Sequence, residues 1–134
     1  MELLKDEKIY LEGRAVNIKK GFGVYQGNLY ITSERISFYK RSGFLNFLLG
    51  PLLMHFSKGN ILVFEIALND LKKINAENHG LGKKYAFHST NGDFEYIQFY
   101  QNAQNLLDTV KKAVELNNPK SKISQVGQLI EFEN

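Results

Sequence analysis

Two short runs of alternating apolar and polar residues, joined by a polar corner, constrain the fold of this chain most strongly. Leu29 and Ile31 fall on one face of the first run, and Ile36 and Phe38 fall on one face of the second. The corner between them, residues 32–35, reads Thr-Ser-Glu-Arg. Because successive side chains of a strand point to opposite sides, this pattern predicts a β-hairpin with one buried and one hydrated face.

Further short strands are indicated on both sides of this hairpin. They are predicted at 8–18, 61–66, 71–75, 84–90 and 94–100. Asn91-Gly92 between the last two is a strong signal for a tight hairpin turn. After Tyr100 apolar residues recur every three or four positions, which predicts an amphipathic helix over 103–117 with Asn102 as its N-cap. About seven strands followed by one helix favour an α+β fold built on an antiparallel sheet.

The hairpin also resembles a signature of GRAM domains, a branch of the pleckstrin-homology-like superfamily. The matching residues are Gly27, Leu29, Tyr30, Ile31, Thr32, Arg35, Ile36, Phe38 and Tyr39. Residues 66–74 and 91–99 are similar to two further segments of the family pattern. The resemblance implies a PH-like barrel of about seven antiparallel strands in two bent sheets, capped by one C-terminal α-helix. It assigns residues 7–118 to this domain and leaves 119–134 as an extra packed element or a mobile tail.

Length and composition indicate one small domain inside the cell. The chain has 134 residues and no cysteine, which excludes disulfide bonds and thiolate metal sites. The N-terminal residues are polar and charged and have no apolar signal core, so we expect no secretion. No stretch reaches the roughly 20 apolar residues of a membrane-spanning helix. We therefore expect a cytoplasmic protein that is either free or peripheral on the inner membrane face.

Positive charge is concentrated in the middle of the chain. Between Lys19 and Lys84 there are ten cationic and four acidic residues, although the net charge of the whole chain is only +3. Such a field favours anionic surfaces or acidic partners, and a solvated surface of mixed charge is the alternative. In PH-like relatives the first inter-strand loop often holds basic residues that contact lipid head groups. Lys19 and Lys20 match that position by their order along the chain, whereas simple solvation of the turn is the favoured alternative.

Residues 43–56 form an almost continuous apolar segment where the family usually has a short polar connection. Its candidate contact residues are Phe44, Phe47, Leu48 and Leu52, and the flanking cations are Lys40, Arg41 and Lys58. Exposing even four large apolar side chains would cost several kcal/mol, at roughly 1.5–3 kcal/mol each. The segment must therefore be covered by the chain's own barrel, by a second copy or partner protein, or by a lipid bilayer. Cations beside a short apolar wedge suit an anionic lipid surface.

No pattern in the sequence points to catalysis. His55, His79 and His88 lie on different predicted elements and lack metal-ligand spacing, and none of the common nucleophile or phosphate-loop motifs occurs. The low net charge also argues against a dedicated nucleic-acid binder. We therefore predict a non-enzymatic binding module, with no metal and no cofactor, that meets anionic membrane lipid, a protein partner or both. The alternative is a self-associating adaptor whose apolar segment forms a dimer interface.

Overall fold

The structure, a computed structural model, describes residues 1–19, 23–41, 60–80 and 82–134. Within these ranges the chain forms nine strands and one helix. The strands are β1 (Ile9–Lys19), β2 (Gly23–Thr32), β3 (Arg35–Arg41), β4 (Asn60–Ala67), β5 (Leu71–His79), β6 (Gly82–Ser89), β7 (Phe94–Phe99), β8 (Lys122–Val126) and β9 (Leu129–Glu133). A 3-10 turn, Leu68–Asp70, joins β4 to β5, and the helix α1 (Ala103–Asn117) follows β7.

The strands form one open antiparallel sheet in the order β4-β3-β2-β1-β7-β6-β5-β9-β8. β1 joins the two halves of this sheet, because it pairs with β2 along its length while Ala15–Ile18 also pair with β7. The apolar sides of both halves enclose a single core against which α1 packs. The predicted α+β class, antiparallel strands followed by a C-terminal helix, is confirmed.

The hairpin that dominates the sequence pattern is formed by β2 and β3. Ile31 lies opposite Ile36 and Leu29 lies opposite Phe38, and all four side chains are fully buried. Thr32 holds the corner, since its hydroxyl oxygen accepts hydrogen bonds from the backbone N–H groups of the third and fourth corner residues at 3.1 and 3.0 Å. The period-2 pattern therefore fixes the buried face, and Thr32 fixes the turn.

Helix α1 begins where its cap residue predicts. The Asn102 side chain accepts hydrogen bonds from the backbone N–H groups of Gln104 and Asn105 at 2.9 and 3.3 Å. The buried stripe of the helix consists of Leu106, Val110, Ala113 and Val114. At the other end the Asn117 amide donates to the carbonyl oxygen of Ser33 at 3.1 Å, which ties the helix to the β2–β3 corner.

The described residues contain nine strands rather than about seven, because the chain after the helix adds a hairpin. Gly127 occupies the turn of this β8–β9 hairpin with a φ of 60°, a conformation that favours glycine. Residues 129–131 of β9 pair with residues 73–75 of β5 and satisfy the backbone groups of its edge. The alternating residues Ile130 and Phe132 enter the core, which supplies the apolar contribution that holds the hairpin in place.

A buried ion pair attaches the N-terminal segment to the β2–β3 hairpin. The Glu7 carboxylate, whose side chain is fully buried, accepts from Arg35 Nε and Nη2 at 2.9 and 3.0 Å. It also accepts from the Thr32 hydroxyl at 2.5 Å and from the Leu4 backbone N–H at 2.8 Å. Arg35 contacts Glu65 on β4 as well. Both carboxylate oxygens of Glu7 are therefore satisfied, as burial of a charge requires.

We expect this ion pair to make the protein sensitive to acid. Burial by itself raises the pKa of Glu7, but the hydrogen bonds from Arg35, Thr32 and the Leu4 backbone lower it overall from its usual 4.5. A carboxylate with a lowered folded-state pKa contributes stability above its unfolded pKa and loses that contribution as pH falls through the folded value. We therefore expect the free energy of unfolding, measured with urea, to fall further between neutral pH and a pH below about 4 for the native chain than for Glu7→Gln. Equal losses in both proteins would contradict this assignment.

Candidate functional site

Four strand ends meet at one end of the sheet, and they flank both of the segments singled out in the sequence. Lys19 at the end of β1 pairs with Gly23 at the start of β2. Arg41 at the end of β3 pairs with Asn60 at the start of β4. Because Gly27 of β2 lies opposite Lys40 of β3, these two pairs of strand ends share the same end of the sheet. We call it the loop end.

On the core side of β1, a compact polar cluster neutralises Lys19. Lys19 Nζ lies 2.8 and 2.7 Å from the two carboxylate oxygens of Glu95 on β7. The Asn17 side-chain N–H donates to the same carboxylate at 3.1 Å and to the Tyr96 carbonyl oxygen at 3.0 Å. Asn17 is fully buried, and its Oδ1 has no hydrogen-bond partner within the described ranges. The charge of Lys19 is therefore already paired and attracts an incoming anion less strongly.

Lys40 is also held by a neighbour. Its ammonium nitrogen lies 4.4 Å from the ring centroid of Tyr25, whose backbone is opposite Asn17 in the β1–β2 ladder. A cation over an aromatic face at an exposed site contributes about 0.5–1 kcal/mol, so this contact orients Lys40 without neutralising its charge.

On the outer side of the sheet, Arg41 lines a cavity of about 120 Å³ together with Arg14 of β1. Gln26, Gly27, Ala15 and Tyr100 also line it. Arg14 is exposed, and no pattern in the sequence singles it out. The position of Arg14 becomes evident only from the register between β1 and β2. This register places Arg14 and Gln26 on the side of the sheet opposite the buried Ala15.

Exposed apolar side chains accompany the cations at the loop end. Val24 of β2 is 54% exposed, and Ile61 and Leu62 at the start of β4 are 38% and 46% exposed. Residues 61 and 62 lie opposite Lys40 and Tyr39. Cationic and apolar surface therefore alternate over these neighbouring strands.

The structure describes three of the nine predicted contact residues and brings all three to the loop end. They are Lys19, Lys40 and Arg41. The other six lie outside the described residues: Lys20, Phe44, Phe47, Leu48, Leu52 and Lys58.

The described residues offer little that indicates a metal site or a membrane span. No group of three histidine, aspartate or glutamate side chains in them is placed to hold a metal ion. His88 Nε2 lies 2.8 Å from Asn75 Oδ1, and its ring stacks on Phe94. Burial, and then the charge of Lys73, lower the pKa of His88. Of the helices in the described part of the chain, none is long and apolar enough to cross a membrane.

Comparisons with known proteins identify the fold. No family profile and no curated protein matches the chain. The C-terminal domain of a Leishmania infantum protein is similar in structure, with a TM-score of 0.57, 15% identity and coverage of 83% of this chain and 88% of that one. The Linker-DH/PH structure of p115-RhoGEF gives 0.60 at 8% identity, covering 83% of this chain and 30% of that one. The Slm1-PH domain gives 0.50 at 13% identity, covering 81% and 95%.

At these identities the comparisons establish architecture alone. Two of the three structures contain PH domains, and each matches more than four fifths of this chain. The chain has a pleckstrin-homology-like fold.

Proposed function

We propose that this chain is a non-catalytic module that docks on anionic membrane surfaces through its loop end. The observation that carries the proposal is the coincidence of Lys40 and Arg41 with exposed Val24, Ile61 and Leu62 at the strand ends that flank segments 20–22 and 42–59. Lys19 lies at the same end, but its charge is already paired with Glu95. Cations attract anionic head groups, while apolar side chains gain free energy by leaving water at the headgroup boundary.

The apolar segment supplies the remaining argument. Residues 43–56 hold many more large apolar side chains than the three exposed ones at the strand ends, and they begin two positions after Arg41. We propose that Phe44, Phe47, Leu48 and Leu52 enter the bilayer boundary, and that Lys20 and Lys58 add to the cationic rim. The Slm1-PH domain was solved in complex with phosphoserine, which supports an anionic ligand for a module of this fold. The hairpin signature further supports the GRAM branch of that fold.

The double change Phe47→Ser/Leu48→Ser tests the proposal. Removing two side chains worth roughly 1.5–3 kcal/mol each should weaken binding to phosphatidylserine-containing vesicles by at least about tenfold while leaving the charge unchanged. Raising the salt concentration should weaken binding of the native chain as well, because the screening length falls from about 10 Å at 0.1 M to about 3 Å at 1 M. Vesicle co-sedimentation and light scattering on the same samples measure both effects.

A matched control uses exposed apolar residues far from the loop end. Leu116→Ser/Val126→Ser removes one exposed side chain from α1 and one from β8, and it should leave vesicle binding unchanged. If the loop change instead turns dimers into monomers, and vesicles are never bound, segment 43–56 is a self-association surface. If the change lowers thermal stability alone, the segment packs on its own barrel. Either result would reject membrane docking.

A further inference from the structure

The cavity between Arg14 and Arg41 is built on strands rather than on loops. Ala15 pairs with Gly27 across β1 and β2, and the Tyr100 backbone N–H donates to the Arg14 carbonyl oxygen at 3.3 Å. Gly27 allows β2 and β3 to approach closely, since a Cβ there would lie 2.0 Å from the Tyr39 carbonyl oxygen. The side chains around the cavity therefore project from a fixed frame, as a binding site requires.

The lining of this cavity is cationic and polar. Among the described residues, its lining includes two arginines, one glutamine and one tyrosine, and no acidic residue. Neither Arg14 nor Arg41 forms an ion pair with an acidic residue in the described part of the chain. The acidic neighbour on the same side of β1 is Glu12, which lies opposite Tyr30. Burial, and then the charge of Glu12, raise the pKa of Tyr30.

Two arginines that line one small cavity suit one compact anion. Planar guanidinium forks match the oxygens of a phosphate group and can bind it in a bidentate manner, and a tyrosine hydroxyl or glutamine amide can donate to a further oxygen. The volume of about 120 Å³ accommodates a single phosphate group rather than a large ligand.

Of the cations on the core side, Lys19 is less available to such an anion, and Lys40 lies on the other side of the sheet from the cavity. Lys19 already contacts both oxygens of Glu95, and Lys40 lies over Tyr25. We therefore propose that the cavity lined by Arg14, Gln26, Arg41 and Tyr100 binds a phosphate monoester group. The group can belong to a lipid head group or to a soluble phosphate compound. The lipid source rests on the proposed function, whereas the site itself does not.

Two kinds of vesicle separate phosphate recognition from general charge attraction. Phosphatidic acid carries a phosphate monoester, and phosphatidylserine carries a phosphodiester and a carboxylate. At matched surface charge we expect the native chain to bind phosphatidic acid vesicles roughly ten- to a hundredfold more tightly than phosphatidylserine vesicles. This is the range that one additional hydrogen bond to a charged group contributes. Arg14→Gln and Arg41→Gln should abolish this preference. Arg14→Lys should reduce it, because the charge stays and the fork is lost.

Lys72→Gln is the matched control, since it removes an exposed cation from β5 and leaves the cavity intact. It should keep the preference, as should Lys19→Gln. Amide NMR shifts of Gln26 and Gly27 on addition of inorganic phosphate give a second measurement that needs no membrane. These shifts should disappear in Arg14→Gln, and unchanged melting temperatures will show that the variants are folded.

The outcomes separate this inference from the proposed function. Equal binding to both vesicles, with Arg14→Gln no weaker than Lys72→Gln, would overturn the phosphate site and leave membrane docking in place. Phosphate-induced shifts without any vesicle binding would support the site with a soluble ligand and overturn membrane docking. Loss of the preference in Lys19→Gln but not in Arg14→Gln would move the site to the core side and refute the inference. The absence of both shifts and vesicle binding would refute both.

Discussion

Replacing Arg35 with methionine should lower the free energy of unfolding by about 3–5 kcal/mol, the usual cost of removing one partner from a buried ion pair. The fully buried Glu7 carboxylate would lose both of its hydrogen bonds from the guanidinium group. Methionine keeps much of the length and apolar contact of the arginine stem, so the loss would report the missing charge rather than a cavity. Urea unfolding followed by tyrosine fluorescence or circular dichroism gives this free energy.

Arg41→Met provides the control for this prediction. It changes the same residue type on the same strand and the same outer side, at an exposed position, and should alter stability by no more than about 0.5 kcal/mol. The double change Glu7→Met/Arg35→Met should recover part of the loss, because it leaves no unpaired buried charge. If the separate losses of Glu7→Met and Arg35→Met simply add in the double variant, the ion pair is not the cause.

The local parts of the fold could be predicted from the sequence. The β2–β3 hairpin depends on alternation over a few residues and on Thr32, and α1 depends on a 3.6-residue period and on the Asn102 cap. Each of these signals lies within about ten residues of the structure that it specifies. Their bounds therefore agree closely with the structure.

The β8–β9 hairpin was harder to predict because its stability is non-local. Ile130 and Phe132 do alternate with acidic residues, and Gly127 is a turn signal, so the pattern was present. Whether such a short hairpin folds depends on the free edge of β5, which lies more than fifty residues earlier in the chain. A two-stranded hairpin without such a partner is marginal in water, so the sequence left a packed element and a mobile tail as alternatives.

The same distinction applies to the candidate site. Lys19, Lys40 and Arg41 could be chosen as cations near the ends of predicted strands. The partner of Lys19 could not be predicted, because Glu95 is 76 residues away in the chain and contacts Lys19 only through the register of β1 against β7. Arg14 joins Arg41 for the same kind of reason, since their common cavity depends on three strands and the end of a fourth. A free cation and a neutralised one look identical in the sequence.

Leu106→Ala is expected to destabilise the protein by about 2–5 kcal/mol, because it removes a fully buried side chain of α1 from the core. The matched control is Leu116→Ala on the same helix. Leu116 is 59% exposed, so the same chemical change should cost no more than about 0.5 kcal/mol. Thermal and urea unfolding measure the difference. Equal midpoints for the two variants would show that α1 does not close the core through Leu106.

This change also separates stability from binding. The C-terminal end of α1 is fixed to the β2–β3 corner through Asn117 and Ser33, at the opposite end of those strands from the loop end. Below its melting temperature, Leu106→Ala should therefore bind phosphatidylserine vesicles as tightly as the native chain. Phe47→Ser/Leu48→Ser should show the reverse, with weakened binding and a nearly unchanged free energy of unfolding. A loss of both properties in both variants would mean that the core and the proposed binding surface are one cooperative unit, and would contradict a docking surface confined to the loop end.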